Sequence, residues 1–328
     1  MNKKVIISGA AGFIGFHTSL FFLKKGYEIL GIDNINDSYD VNIKKKRISH
    51  LMSYKNFIFK KTDISNYISL EKIFSNFCKV KAPQLVINLA AKTGVRKSSS
   101  DPNSYYESNV IGCLNIARLV NLYKIKNLIH ASTSSVYGNS TKKSFDIGDE
   151  TDKPYSNYAA SKKSSEVLLY AFHKLNKINI TILRFFTVYG PYGRPDMSPF
   201  IFIESNLRKN KINLFGTGNQ QRDFTYIDDI VSGIYKCRRL KNYNILNLGN
   251  NKPVKINLLL EKIEKFSNFK NLVHKLPALI EDVKYTSANI NKTKSLIKWE
   301  PITKFEKGIK KTFDWHIENG KWLRKIKI

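Results

Sequence analysis

The stretch VIISGAAGFIG, residues 5–15, decides the fold of this chain. It begins as a short apolar run that is typical of a buried strand, and a helical pattern follows it to Lys25. Gly9, Gly12 and Gly15 lie between the two. In such a turn the first glycine permits the tight bend, the second lets the backbone approach a pyrophosphate, and the third lets the helix pack on the strand. Because the helix N-terminus also offers N–H donors to phosphates, the stretch predicts a dinucleotide site.

The first half of the chain continues this alternation of strand and helix. Further apolar runs, EILGID, NFIFKKTD, QLVINLAA, NLIHAST and NITILRFF, occupy residues 28–33, 56–63, 84–91, 127–133 and 179–186. Buried strands separated by helices predict an α/β fold with a doubly wound parallel sheet of the Rossmann type.

The rhythm of strand and helix breaks after the last of these runs. The stretch TVYGPYGRPDMSPF, residues 187–200, contains three prolines and is loop-like. Shorter mixed elements follow, and the tail carries helical patterns at residues 290–297 and 305–318. The second half therefore indicates a different kind of packing from the first.

The length of 328 residues permits one large or two ordinary domains. We predict a nucleotide-binding domain at residues 1–186, rejoined by roughly 225–250. A smaller, mixed α/β C-terminal domain at 187–328 is expected to bind the substrate, with a crevice between the two.

Composition limits the class of protein. An apolar content of 42% and an aromatic content of 12% are typical of a folded chain. Cys78, Cys113 and Cys237 are scattered without metal-ligand spacing, which argues against a metal site and a disulfide framework and favours a reducing compartment. No apolar run is long enough for a signal peptide or a membrane span, so we expect a cytoplasmic protein without an integral membrane segment.

The net charge of +29 raises the question of a nucleic-acid partner. However, 45 of the 55 basic residues are lysines, and they occur in nearly every segment instead of forming a patch. We interpret the charge as compositional drift on solvated surfaces and predict no nucleic-acid binding. An anionic small substrate would still be attracted by the positive field.

Asp33, at the end of the second predicted strand, indicates which dinucleotide binds. Its carboxylate can accept both ribose hydroxyls of an adenosine and would repel a 2′-phosphate. The neighbouring Asn34 offers no cation for such a phosphate, so the sequence favours NAD over NADP. Further cofactor contacts are expected at Phe13, Ile14, Asn34, Asp63, Ile64, Ala90 and Ala91.

Tyr158 and Lys162 form a Y-x-x-x-K pair that would share one face of a helix. An ammonium beside a phenol favours the phenolate and lowers a pKa that starts near ~10, which would give a base for a sugar or alcohol hydroxyl. The same spacing recurs at Tyr170 and Lys174, so context decides between the two pairs. Tyr158 comes soon after the hydroxyl-rich strand end STSSVYG (132–138), at the sheet edge where ligands bind in open α/β folds.

Together, the glycine turn, Asp33, the Ser-Thr run before Val136-Tyr137-Gly138 and the Tyr158/Lys162 pair resemble the extended short-chain dehydrogenase/reductases that act on nucleotide sugars. The resemblance covers nearly the whole chain. It narrows to the UDP-glucuronate 4-epimerases through RFFTVYGPYGRPDMSPF, QQRDFTYIDDI and AAKTGVRKS, at residues 184–200, 220–230 and 90–98. Lys92 and Thr93 depart from the Gln-Ala that is usual there, and Glu281 stands where glycine is usual.

The resemblance implies NAD-dependent 4-epimerisation of a UDP-sugar through a transient 4-keto intermediate, within polysaccharide biosynthesis. By this resemblance Tyr158 takes the C4 hydroxyl proton, Thr133 bonds the sugar O4 and relays the proton, and Lys162 holds the nicotinamide ribose and lowers the pKa of Tyr158. Arg222 would hold the UDP phosphates, and Asp282 would contact the nucleotide.

The resemblance also implies a homodimer. Its members pair through two helices from each subunit, which would correspond to residues 104–123 and 156–174 here.

Ser134 and Ser135 distinguish epimerisation from related reactions. Relatives that dehydrate hexoses carry Asp-Glu directly after the catalytic Thr, and relatives that decarboxylate UDP-glucuronate carry Glu two places after it. An acid or base makes physical sense for chemistry at C5, whereas epimerisation at C4 needs none. The two serines therefore favour the conversion of UDP-glucuronate to UDP-galacturonate.

Oxidation of glucuronate at C4 creates a β-keto acid that loses CO₂ readily, so we hypothesise that fixed donors hold its carboxylate out of alignment with the ketone. The expected substrate-binding residues are Arg96, Thr133, Ser134, Ser135, Thr187, Arg194, Arg222 and Asp282. Three alternatives stay open: a 4-epimerase for UDP-glucose or a UDP-N-acetylhexosamine, a UDP-glucuronate decarboxylase, and an NAD-binding scaffold without catalysis.

Overall fold

A computed structural model describes residues 3–140, 142–278 and 283–328 of the chain. Its strands are β1 (Lys3–Ser8), β2 (Tyr27–Asp33), β3 (Phe57–Lys61), β4 (Leu85–Asn88), β5 (Asn127–Thr133), β6 (Asn179–Phe185), β7 (Thr187–Tyr189), β8 (Lys211–Phe215), β9 (Gln221–Arg222), β10 (Phe224–Tyr226), β11 (Tyr243–Leu248), β12 (Val254–Lys255) and β13 (Leu272–Leu276).

The α-helices connect and cover these strands. They are α1 (Phe13–Lys24), α2 (Val41–Met52), α3 (Tyr67–Cys78), α4 (Lys97–Ser100), α5 (Pro102–Tyr106), α6 (Gly112–Leu122), α7 (Asn157–Asn176), α8 (Ser198–Leu207), α9 (Ile227–Cys237), α10 (Ile256–Ser267), α11 (Asn291–Ile297), α12 (Phe305–Glu318) and α13 (Gly320–Leu323). A π-helical turn, Glu107–Ile111, joins α5 to α6, and a 3₁₀ turn, Ser134–Tyr137, follows β5.

Seven of the described strands form a parallel sheet in the order β11-β6-β5-β4-β1-β2-β3. The core on one face is built from α1, α2 and α9, and the core on the other face from α3, α6 and α7. The apolar strand residues fill both layers, which is why β1 reads as the unbroken run Val5-Ile6-Ile7, with no side chain exposed. This arrangement confirms the predicted doubly wound α/β fold.

The C-terminal part has a separate apolar cluster. Side chains of α8, β8, α10 and α12 pack there, among them Ile203, Leu214, Ile263 and Phe313. Short pairs of strands, β7 with β10, β8 with β13 and β9 with β12, complete this region. The predicted domain division stays a prediction. Helix α9 packs on the seven-stranded sheet and β11 belongs to it, and both lie within the residues 225–250 that are expected to rejoin the first domain.

The loop predicted at residues 187–200 is shorter than expected. β7 occupies its start and α8 begins at Ser198, which leaves a Gly190–Met197 loop. All of β7, Thr187–Tyr189, pairs with β10, so strand pairing between distant segments overrides the local turn signals.

The Gly190–Met197 loop is fastened to the helices behind it. The His17 ring bonds the Pro191 carbonyl at 2.8 Å, and the Arg47 guanidinium donates to the carbonyls of Tyr192 and Gly193 at 2.7 and 3.1 Å. Arg47 also donates to the Ala11 carbonyl at 2.9 Å, so one buried side chain joins this loop to the glycine turn.

The helix expected over residues 104–123 is interrupted by the π-helical turn. Asn109 within it bonds the backbone of Lys92 in both directions, at 2.8 and 3.0 Å, and donates to Ser161 at 2.9 Å. These bonds attach the π-helical turn to the segment that follows β4 and to α7. Within the described ranges, no helix is both long and apolar enough to cross a membrane.

Candidate active site

The glycine turn lies between β1 and α1 and has the conformation that the sequence predicts. Gly9 has φ +76°, and a Cβ there would lie 2.6 Å from the Ala90 nitrogen. A Cβ on Gly15 would overlap the Gly9 carbonyl oxygen, so the close packing of helix on strand requires glycine. Gly12 precedes α1 without a side-chain cap, and the first turn of α1 lines a large cavity.

The carboxylate of Asp33 lies buried beside this turn. Its oxygens accept from the Ala11 N–H at 3.0 Å and the Ile35 N–H at 2.8 Å, and burial raises its pKa against the opposing charge of Lys44. Each oxygen keeps capacity for a further donor, as a ribose hydroxyl would provide. These contacts and the glycine cradle fit the adenosine and pyrophosphate of a dinucleotide.

Lys44 was missed by sequence reasoning. Its ammonium is buried and donates to the carbonyl of Asn36 at 2.8 Å and to the side-chain oxygen of the same residue at 2.6 Å. The argument from Asn34 that no cation lies near Asp33 is therefore incomplete. Lys44 comes from α2, and no local motif connects it to the end of β2.

Asn34 and Asp63 extend the cofactor side of the cavity. The Asn34 amide donates to Asp63 at 2.6 Å, and Asp63 also accepts from the backbone N–H of Ser65 at 2.9 Å. Ile64 packs near Gly112, where a Cβ would meet the Ile64 side chain at 2.6 Å. Ala90 follows β4, where bulk would obstruct a dinucleotide.

One cavity of about 1040 Å³ runs from the glycine turn to the C-terminal part. Among the described residues, all of the predicted site positions line it: Gly9, Gly12, Phe13, Ile14, Gly15, Asp33, Asn34, Asp63, Ile64, Ala90, Ala91, Arg96, Thr133, Ser134, Ser135, Tyr158, Lys162, Thr187, Arg194 and Arg222. Asp282 and its neighbour Glu281 lie outside the described residues.

The hydroxyl run that begins at the end of β5 lines the cavity. Thr133 caps the 3₁₀ turn: its Oγ1 accepts from the Ser135 N–H and donates to Ser135 Oγ, both at 3.1 Å. Ser132 instead donates to the buried carboxylate of Glu166 at 2.5 Å, which is paired with Arg184. The run therefore divides into Ser132, held in the core, and three hydroxyls that face the site.

Tyr158 and Lys162 lie near the start of α7, where Ser156 caps the helix. Both side chains line the cavity, whereas Tyr170 is 47% exposed on the outer surface. Of the two Y-x-x-x-K pairs, the structure brings only Tyr158 and Lys162 to the cavity.

The structure does not show the predicted lowering of the Tyr158 pKa by Lys162. Burial raises the pKa of Tyr158, and the groups that oppose it are the Thr133 hydroxyl and the charge of Arg194. Burial also lowers the pKa of Lys162, to about 8. Desolvation outweighs the pairing argument because both groups of the pair are taken out of water.

His130 is a buried partner of Lys162 that sequence reasoning missed. Its Nε2 lies 3.3 Å from Lys162 Nζ and 3.0 Å from Ser165 Oγ, and its Nδ1 lies 3.1 Å from the Asn88 amide. Burial holds the pKa of His130 well below its usual value, so the ring is neutral. Its signal in the sequence, one histidine within NLIHA, is indistinguishable from a core residue.

Arg194 is the cation that approaches the reactive phenol. Its Nε and Nη2 donate to the two carboxylate oxygens of Asp196 at 3.0 and 2.6 Å, and its Nη1 donates to the Thr93 hydroxyl. Burial raises the pKa of Asp196, but the charge and hydrogen bonds of Arg194 keep it below the usual value. The pair is therefore an ionised, bidentate one.

Two other arginines line the outer part of the cavity. Arg222 lies on β9 and donates to the Gln221 carbonyl at 3.0 Å, and the Arg96 guanidinium lies 4.9 Å from the centre of the Phe215 ring. Guanidinium groups suit phosphate oxygens because they present several donors in one plane.

The parallel sheet, the glycine turn, the Asp33 carboxylate and the Tyr158/Lys162 pair define the class of nucleotide-dependent enzymes with a Rossmann fold and a tyrosine base. Residues 5–249 match the NAD dependent epimerase/dehydratase family, and the chain belongs to that family. The resemblance to nucleotide-sugar epimerases is confirmed.

Similar proteins act on related nucleotide sugars. A UDP-glucuronate 4-epimerase of Thermodesulfobacterium geofontis is 42% identical over 324 residues, which cover 98% of this chain and 99% of the relative. A crystal structure of UDP-glucuronic acid 4-epimerase from Bacillus cereus, in complex with UDP-glucuronic acid and NAD, has a TM-score of 0.89 and 32% identity, over 96% of this chain and 99% of that one. The UDP-glucose 4-epimerase of Thermotoga maritima has a TM-score of 0.88 and 27% identity, with the same coverage.

Proposed function

We propose that the protein interconverts UDP-glucuronate and UDP-galacturonate by NAD-dependent epimerisation at C4. The observation that carries this proposal is one cavity in which a dinucleotide turn, a Thr133–Tyr158 pair and the cationic Arg194 meet. Ser134 and Ser135 add neutral donors where a dehydratase or decarboxylase would carry an acid. The similarity to UDP-glucuronate 4-epimerases supports the same activity.

NAD fits the cofactor side of the cavity because Gly9 and Gly15 leave no room for a Cβ and Asp33 presents a carboxylate. The glycine turn would hold the pyrophosphate, Asp33 the adenosine ribose, and Lys162 the nicotinamide ribose. When bound, NAD accepts a hydride from C4 and returns it to the opposite face of the sugar.

Thr133 and Tyr158 move the proton of the C4 hydroxyl. Both hydroxyls line the cavity, and the Thr133 hydroxyl opposes the effect of burial on the pKa of Tyr158, so we propose that a proton passes from the sugar oxygen through Thr133 to a phenolate. Burial makes that phenolate expensive, and the charge of Arg194 stabilises it. The same two residues return the proton when the ketone is reduced.

The remaining donors restrain the sugar. The hydroxyls of Ser134, Ser135 and Thr187, together with Arg194, are proposed to fix the C6 carboxylate. A 4-keto acid loses CO₂ only when the C5–C6 bond is aligned with the ketone π system, so a fixed carboxylate protects the intermediate. Arg222 and Arg96 are proposed to bind the UDP phosphates.

The experiment that tests the proposal is product analysis by NMR with UDP-glucuronate, UDP-glucose and UDP-N-acetylglucosamine in parallel. We expect UDP-galacturonate as the main product and little turnover of the neutral sugars. A Tyr158→Phe variant serves as the control, since it removes the base and should lose turnover while keeping the fold. UDP-pentose as the main product would contradict the proposal.

A second candidate is 4-epimerisation of UDP-glucose. The similarity to the Thermotoga maritima UDP-glucose 4-epimerase favours it, and Asp196 already neutralises the charge of Arg194. Turnover of UDP-glucose at a rate comparable with that of UDP-glucuronate in the parallel assay would establish it.

We further propose a cytoplasmic homodimer that forms through α5–α6 and α7 and serves polysaccharide biosynthesis. Apolar side chains are exposed on these helices, among them Tyr106, Ile111, Val167 and Tyr170. Cys78, Cys113 and Cys237 are free thiols, which suits a reducing compartment. Sedimentation analysis of the wild type and a Val167→Glu variant tests the dimer, because a charge on the paired face should shift the protein to monomers.

A further inference from the structure

Arg194 is held on two sides by residues from different segments of the chain. Asp196 binds its Nε and Nη2 side by side, and the Thr93 hydroxyl accepts from Nη1. The aromatic ring of Tyr39 lies 5.7 Å from the centre of the guanidinium. A guanidinium has five N–H donors, so these contacts leave two, one on each terminal nitrogen. A carboxylate can accept from both of these donors.

Thr93 is itself fixed by the backbone around it. The Tyr105 hydroxyl donates to the carbonyls of Thr93 and Gly94, both at 3.0 Å. Asn109 in the π-helical turn bonds the backbone of the preceding residue, Lys92. The Thr93 hydroxyl therefore cannot follow Arg194 if the guanidinium turns, and it limits the rotation of that group.

The other side of the contact is equally restrained. Asp196 and Arg194 lie on the Gly190–Met197 loop, whose backbone is bonded by His17 and Arg47. The side chain of Arg194 is 20% exposed and that of Asp196 is 32% exposed, so both lie at the cavity wall and not in open solvent. The contacts with Asp196 and Thr93 therefore fix the orientation of the Arg194 guanidinium.

We propose that Thr93 and Asp196 are positioning residues that orient the Arg194 guanidinium, so that its two remaining donors fix the carboxylate of the sugar during the 4-keto stage. This inference rests on the proposed function. It assigns a role to the hydroxyl of Thr93, which an alanine at this position could not supply.

Loss of the positioning role of Thr93 and Asp196 would change the reaction products. If the carboxylate of the oxidised sugar is held loosely, the C5–C6 bond can align with the ketone and break, and its electron pair remains as an enolate that takes a proton. CO₂ and a UDP-4-keto-pentose are released, and the hydride removed from C4 stays on the cofactor. We call this loss of the 4-keto intermediate escape. It gives one CO₂ and one reduced nicotinamide for each sugar lost.

The test compares Thr93→Val, which removes the hydroxyl at nearly constant volume, with Thr93→Ser, which keeps it. With UDP-glucuronate we expect Thr93→Val to raise KM roughly three- to tenfold and to accumulate reduced nicotinamide and UDP-4-keto-pentose, whereas Thr93→Ser stays near the wild type. Any residual turnover of UDP-glucose should be equal in both variants, because a neutral sugar has no carboxylate to hold. Equal KM and equal escape in Thr93→Val and the wild type would overturn the assignment.

The Asp196→Asn variant distinguishes two roles for Asp196: orienting Arg194, or competing with the sugar carboxylate for it. If Asp196 orients Arg194, this variant raises the escape of CO₂ as well. If Asp196 only competes with the sugar carboxylate for Arg194, the variant tightens UDP-glucuronate binding without added escape, and its positioning role is wrong. Calorimetry in the Tyr158→Phe background measures that affinity without turnover.

The wild type tests the proposed function independently of these variants. A wild type that ignores UDP-glucuronate refutes the proposed function. A wild type that makes UDP-galacturonate alongside an unaffected Thr93→Val variant refutes only the inference.

Discussion

The Lys162 ammonium lies 3.3 Å from a neutral imidazole, that of His130, in a layer of the protein that water does not reach. Burial lowers the pKa of both groups. Lys162 is thus placed by a polar network that runs from Ser8 through Asn88 and His130, not by a carboxylate. Burial disfavours the charged form of Lys162, and the groups that favour it are Cys113 and the buried carboxylate of Glu166.

The first prediction concerns the alkaline side of the pH profile. Because the pKa of Lys162 is lowered to about 8, its charge is lost as pH rises through that value, and we expect kcat/KM to fall there. His130→Leu removes a ring nitrogen from Lys162 and unpairs Asn88, which should cost about 1–3 kcal/mol in the free energy of unfolding and shift the alkaline limb to lower pH. His130→Gln retains polar atoms and should keep the limb near its original position. Identical profiles for both variants would argue against a role for the imidazole.

The second prediction concerns the charge of Arg194. Arg194→Ala should lower kcat/KM for UDP-glucuronate by roughly a hundredfold or more, because a charge-assisted, two-point contact is lost. Turnover of UDP-glucose should fall much less, because for a neutral sugar only the stabilisation of the Tyr158 phenolate is lost. Steady-state kinetics with both sugars measure the ratio, and an equal loss for both would show that Arg194 acts on the Tyr158 phenol or on the loop and not on the sugar carboxylate.

The third prediction concerns the choice of cofactor. Asp33→Ser removes the carboxylate that repels a 2′-phosphate, and the charge of Lys44 remains beside it. We therefore expect this variant to gain measurable NADP binding. The double variant Asp33→Ser with Lys44→Met should lose that gain while the glycine turn stays intact. Cofactor affinity can be followed by fluorescence titration, and NADP binding that persists in the double variant would exclude Lys44 as its source.

The fourth prediction concerns Arg47, which is buried and donates to three backbone carbonyls and the Tyr39 hydroxyl. Arg47→Met leaves those acceptors unpaired and should lower the free energy of unfolding by about 3 kcal/mol. Arg47→Lys keeps the charge but has too few donors in the right plane, so an intermediate loss is expected. Urea unfolding measures both. A value for Arg47→Met within error of the wild type would show that the loop holds its position without this side chain.

The fifth prediction concerns acid stability. Burial lowers the pKa of His17 to about 4, against an ordinary value of 6.5. Between these two values the unfolded chain binds more protons than the folded one, so stability is present above pH 6.5 and is lost as pH falls toward 4. His130 and His316 are also buried with lowered pKa values and act in the same direction. His17→Gln still offers a donor to the Pro191 carbonyl and should make the urea midpoint less dependent on pH; an unchanged slope would assign the effect to the other two histidines.

Sequence reasoning was strongest where the physics is local. The NLIHAST run coincides with β5, the predicted helices near residues 290–297 and 305–318 correspond to α11 and α12, and the glycine turn has its expected geometry. Each of these depends on neighbouring residues, whose periodicity or conformational freedom is visible in the sequence.

It was weakest where distant segments meet. The contact between Thr93 and Arg194, the approach of Lys44 to Asp33 and the His130–Lys162 pair each join separate elements. Desolvation produced the other difference, since the raised pKa of Tyr158 follows from a burial that no spacing reveals. The π-helical turn at Asn109 likewise depends on bonds to Lys92 and Ser161, which lie in other elements.

Arg47 bonds both the glycine turn and the Gly190–Met197 loop, and this limits how the sugar specificity of the cavity can change. Since Arg47 bonds both the loop backbone and the glycine turn, lengthening or shortening the loop would also disturb the turn that is proposed to hold the pyrophosphate. Single substitutions at Thr93, Arg194 or Asp196 alter the proposed contacts with the sugar and leave the backbone that Arg47 bonds in place. New sugar preferences are therefore more accessible by point substitution than by insertion or deletion in this loop, and directed evolution of the enzyme should begin at those three positions.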